Sequence, residues 1–134
     1  MEQISPHKLP ADFKIKKILE TDIGVVYFYG NIVVFEADEG VTLSYKTGFS
    51  LLLKGLTIIG GKPFVYISNR TNSYSIKPMD YKYINKVPTM KSFGIVTYSE
   101  VGRSNAELES NFCKKPFRIF DNLTEAVIWG KGFL

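Results

Sequence analysis

Three times in its second half this chain passes from a short β-branched and aromatic run into a helical stretch, and that alternation limits the available folds more than any other feature. The runs at 64–68, 93–98 and 117–120 read as strands, and helical stretches follow at about 78–85, 105–115 and 123–130. Pro78 suits a first helical position, while Ser104 with Glu107, and Asn122 with Glu125, have capping-box spacing. Strand–helix–strand crossovers are right-handed, so the three strands are expected to be parallel, with their carboxyl ends on one edge.

The front of the chain has a different rhythm. Runs at 13–19, 24–29 and 32–36, separated by Thr21-Asp22 and Gly30-Asn31, predict an antiparallel meander. Over 42–59, Tyr45, Phe49, Leu52, Leu53 and Leu56 recur at helical steps, and Gly60-Gly61 ends that helix. The expected fold is therefore an α/β mixed sheet, meander first and parallel strand–helix units after, flanked by about four helices.

With 134 residues, 45% of them hydrophobic and 22% charged, the chain can bury one core. Residues 1–12 read as a polar N-terminal leader and residues 13–134 as a single domain. No apolar run approaches the roughly 20 residues of a membrane span, and the first ten residues carry no targeting pattern, so the expected location is the cytoplasm. One cysteine, Cys113, and one histidine, His7, allow neither an internal disulfide nor a structural zinc site, and no metal or cofactor is expected. The net charge of +4 leans mildly basic; Lys14, Lys16, Lys17, Lys114 and Lys115 form short clusters that read as solvated faces.

Enzyme chemistry finds little support. Nucleophilic triads need a positioned histidine, and His7 falls in the leader. Cys113 reads as a half-buried core residue, no phosphate-binding glycine loop is present, and none of the 13 acidic residues stands out as a catalytic pair.

Function is expected instead at the loops after the parallel strands, where open sheets gather ligands. The candidate residues are Ser68, Asn69, Arg70, Asn72, Ser73, Tyr74 and Ser75 after one strand, and Arg103 and Ser104 after the next. The arginines would supply charge, Asn69, Asn72 and Ser73 hydrogen bonds, and Tyr74 a contact surface, for an unknown protein partner or a small anionic or lipid ligand. A second version places the ligand in an apolar cavity between helix and sheet, lined by residues such as Phe49 and Leu53. The alternative from another class is single-stranded nucleic-acid binding through Tyr66, Phe93 and Tyr98 on a bare sheet face. The uncovered edge of the meander could pair with a second copy, giving a homodimer.

Lys62-Pro63-Phe64-Val65-Tyr66-Ile67-Ser68-Asn69-Arg70 with Asn72-Ser73-Tyr74-Ser75, and the closing Phe117-Arg118-Ile119-Phe120-Asp121-Asn122-Leu123-Thr124-Glu125-Ala126-Val127-Ile128-Trp129, resemble small bacterial STAS-type domains of the SpoIIAA-like (STAS/SEC14-like) group. The resemblance covers about residues 13–130. It implies a mixed sheet flanked by helices and non-catalytic work, either protein–protein regulation or binding of a lipid or small ligand. In the anti-sigma-factor antagonists an Asp-Ser pair opens the helix after this strand and its serine is phosphorylated. Asn72-Ser73 stands there in this chain, which makes Ser73 the phospho-acceptor that the resemblance implies.

Overall fold

The computed structural model describes residues 7–43, 45–72 and 74–134, together with their side chains except those of residues 45–47 and 49. Three strands, β1 (Lys17–Thr21), β2 (Gly24–Tyr29) and β3 (Ile32–Ala37), form the antiparallel meander. Gly24 opens β2 at φ +154°, where an added Cβ would stand 2.2 Å from the Glu36 carbonyl oxygen, so no other residue fits without moving β3. Helix α1 (Tyr45–Ile59) then leads to β4 (Phe64–Asn69), which pairs parallel with β3. A 3-10 turn (Pro78–Asp80) and the short α2 (Tyr81–Ile84) lead to β5 (Met90–Val96), and α3 (Glu100–Ser110) to β6 (Phe117–Phe120). The six strands lie in sequence order in one sheet, and α4 (Leu123–Lys131) follows the last.

That order decides where the helices go. Each crossover joins neighbouring parallel strands in the same sense, so right-handedness puts α1, α2 and α3 on one face. There Ile59, Tyr81 and Ala106 join Val33, Phe35, Phe64, Phe93 and Ile95 in one core. The other face is covered by α4 and by residues 9–15, with Phe13, Ala126 and Val127 packed on Val34, Val65 and Ile67. The mixed α/β sheet agrees with expectation in every strand and every long helix.

Several boundaries differ, among them the ends of α3 at Ser110 and β5 at Val96 and three starts. The first strand begins at Lys17, because Phe13 turns its ring into the core under α4 instead of joining the ladder. The strand expected from 93 begins at Met90. The helix expected from 105 begins at Glu100: Ser99, in extended backbone, accepts from the Gly102 N–H at 3.0 Å. Ser99 takes the cap that Ser104 with Glu107 seemed to offer, and Ser104 lies inside α3. The second capping pattern holds, with Asn122 Oδ1 accepting from the Glu125 N–H at 2.9 Å.

Candidate functional site

The two faces of the sheet are packed to different densities, and glycines report the difference. On the α4 face, a Cβ at Gly130 would come within 2.7 Å of Val65 Cγ1, so the glycine is what lets helix and strand approach. On the opposite face, Gly48 and Gly55 sit two turns apart in α1, and among the described residues a Cβ on either would meet no atom within 4 Å. Both border an apolar cavity of about 120 Å3 between α1 and the sheet. Leu51, Leu52, Leu56 and Ile59 form its helix wall, while Val33, Phe35, Phe64, Tyr66 and Phe93 form its floor. Asp80 is the one charged residue on its border among the described residues.

The sequence reading expected Phe49 and Leu53 to line such a space. Leu53 is instead 48% exposed on the outer side of α1, and the Phe49 side chain lies outside the described residues. The residues it missed, Gly48 and Gly55, carried a readable signal: two glycines seven apart in an otherwise apolar helical run, where each costs about 0.5–1 kcal/mol against alanine.

Beside the cavity floor lies a buried polar network. Arg70 and Glu109 form a two-pronged ion pair, Nη1 to Oε2 at 2.6 Å and Nη2 to Oε1 at 2.7 Å, with both side chains 2% exposed. Tyr81 donates to Glu109 Oε1 at 2.6 Å, and Arg70 Nε donates to Ser68 Oγ at 3.1 Å. Ser68 is hydrogen-bonded to Tyr74, over whose ring the Arg70 guanidinium sits at 4.9 Å. Burial opposes the Arg70 charge, but the hydrogen-bonded Glu109 carboxylate together with Tyr74 and Tyr81 more than offsets it, so the guanidinium holds its proton more tightly than an exposed arginine. Burial likewise pushes the hydroxyls of Tyr66, Tyr74 and Tyr81 above the ordinary tyrosine range.

A second cluster lies at the carboxyl ends of β3, β4 and β5. His7 Nε2 is 2.7 Å from Glu36 Oε2, and its Nδ1 is 2.5 Å from the Tyr29 hydroxyl. Asn69 Nδ2 donates to the same Glu36 oxygen at 2.6 Å, and Asn69 Oδ1 accepts from the Tyr98 hydroxyl at 2.7 Å. His7 thus has a set position here, contrary to the expectation for a histidine in the leader. Its two ring nitrogens are engaged by the Tyr29 hydroxyl and the Glu36 carboxylate.

The expected loop residues are divided between these clusters and solvent. Ser68, Asn69, Arg70 and Tyr74 are buried and bonded inward, so Arg70 supplies its charge to Glu109, and Tyr74 presents no contact surface. Asn72 is exposed and donates to the Ala37 carbonyl at 3.2 Å, while Ser75 is half-buried. Arg103 pairs with Asp121 at 2.7 Å on the surface, and Ser104 is exposed on α3. Ser73 lies outside the described residues. The three aromatics of the nucleic-acid alternative do not share a bare face: Phe93 is 1% exposed, Tyr66 is half-buried and borders the cavity under α1, and only Tyr98 is exposed, beyond the end of β5. Among the described residues no group of three or more His, Cys, Asp or Glu could hold a metal, and no helix is long and apolar enough to cross a membrane.

No family model matches the chain, and no curated protein matches it. Among solved structures, an uncharacterised protein of the DUF3478 family from Shewanella loihica, described as having a SpoIIAA-like fold, is similar. It is 16% identical, with a TM-score of 0.53, and the match covers 87% of this chain and 91% of that one. The ordered mixed sheet, the helices on both faces and this likeness together show that the chain has a SpoIIAA-like fold.

Proposed function

We propose that this chain is a non-enzymatic binding domain that holds a small neutral apolar ligand in the cavity beneath α1. The observation that carries the reading is the void faced by Gly48 and Gly55. Cavities of roughly 150 Å3 lined by aliphatic and aromatic side chains stay dry and take up a benzene-sized ligand. A space of about 120 Å3 therefore suits a single ring or a short alkyl segment, such as the end of an acyl chain. An anionic ligand is disfavoured there, because the buried cation Arg70 is already neutralised by Glu109 and, among the described residues, the only charged lining residue is acidic.

The test is thermal unfolding with and without toluene. A ligand that binds only the native state raises Tm in a saturable way set by its concentration over Kd. In Gly55→Leu the new side chain enters the open space, so this variant is expected to be at least as stable as the parent and unresponsive to toluene. A parent chain that does not respond to toluene, or a Gly55→Leu variant that responds equally, would overturn the reading.

A further inference from the structure

The topology sorts charge in a way that the linear sequence hides. The amino ends of β1, β4, β5 and β6 all lie on one edge of the sheet, because β1 runs with β3 and the later strands are parallel to it. The segments entering those strands bring exposed Lys16, Lys17, Lys62, Lys86, Lys91 and Lys114 to that edge. Among the described residues the only carboxylate side chain in these segments is Asp12, and it is paired with Lys131 at 2.5 Å. The opposite edge carries Asp22, Asp38, Glu39, Glu100 and Asp121, with Arg103 neutralised by Asp121. Exposed charge is therefore largely sorted between the two edges, with Lys8 the exception near the acidic one.

From this segregation we infer that the amino edge is a docking surface for an anionic lipid bilayer. Two features favour a bilayer over other polyanions. The cations named on the edge are lysines, hydrated point charges suited to a diffuse anionic surface, and the one arginine near it, Arg118 as second residue of β6, lies over the Phe120 ring. Exposed apolar rings stand among them: Phe112, 43% exposed, follows α3 beside Lys114, and Phe133, 37% exposed, follows α4. Lysines around protruding aromatics match an interface where charge holds the protein at the headgroups and rings enter the acyl boundary. The inference rests on the charged edge and stands apart from the cavity reading.

Co-sedimentation with vesicles tests it. Binding is expected to phosphatidylcholine vesicles containing 30 mol% phosphatidylglycerol, with little to phosphatidylcholine alone, and it should weaken as salt is raised. Each lysine near an anionic surface contributes about fivefold in partitioning, so the triple variant Lys62→Gln, Lys86→Gln, Lys114→Gln should bind about 100-fold more weakly. Lys8→Gln, near the acidic edge, and Gly55→Leu should leave vesicle binding unchanged, which separates this inference from the cavity. Equal binding to both vesicle types, or no loss in the triple variant, would overturn it. So would tighter retention on a single-stranded oligonucleotide than on the anionic vesicles.

Discussion

Removing Glu109 should be among the most damaging single changes in this protein, and removing Arg70 with it should repair most of the damage. Both side chains are 2% exposed and meet through two hydrogen bonds of 2.6 and 2.7 Å, so Glu109→Leu strands a guanidinium and the Tyr81 hydroxyl in the interior. Stranding one member of a buried pair costs about 3–5 kcal/mol, whereas replacing both by apolar residues of similar volume is often neutral or stabilising. Unfolding entropy near the midpoint is about 2.1 cal/mol/K per residue, so over this chain each kcal/mol moves Tm by roughly 3.6 °C. Glu109→Leu is therefore expected to lower Tm by roughly 10–18 °C. The double variant Arg70→Met, Glu109→Leu should recover most of that loss, staying below the parent by what the Tyr81 hydroxyl, still without its acceptor, costs. Calorimetry of the four proteins of this cycle reads both numbers. A Tm loss under about 4 °C for Glu109→Leu would mean that water reaches the pair, and the account of Arg70 as a scaffold residue would be refuted.

Two further outcomes follow from buried polar groups. Ser92 is fully buried and its hydroxyl has no hydrogen-bond partner, so Ser92→Ala is expected to raise stability by about 1 kcal/mol, measured by denaturant midpoint at unchanged m. Tyr66, Tyr74 and Tyr81 ionise later in the native state than in the unfolded chain, whose tyrosines titrate near pH 10. Above about pH 10 the unfolded state thus binds fewer protons, and the stability fully present below that pH falls as pH rises. Tyrosinate absorbance at 295 nm should show part of the eight-tyrosine signal appearing only with unfolding. A full signal from still-folded protein would contradict this.

The strand–helix alternation made most of the fold legible, since period and turn residues are local and the handedness of crossovers does the rest. The start of α3 was not legible, because Ser99 and Ser104 offer competing caps and the choice rests on how Gly102 sits against Thr97 and Ser99. The loop after β4 misled for a related reason. Arginine, serine and asparagine at a strand end look solvent-bound until a distant carboxylate, Glu109 on α3, is placed beneath them. His7 was misread because its partners, Glu36 on β3 and Tyr29 on β2, reach it only once the meander has folded. The lysine clusters looked like ordinary solvated faces because their shared edge exists only after three crossovers. The cavity depends on packing distance, which sequence does not contain, although Gly48 and Gly55 marked the helix face that borders it.

The most direct test of the central claim is methyl-resolved NMR during a toluene titration. Methyl resonances of Val33, Leu51, Leu56 and Ile59, which line the cavity, should shift together and saturate, while those of Ile67 and Val127 beneath α4 stay in place. Shifts absent from the first group, or no larger there than in the second, would contradict a ligand cavity under α1.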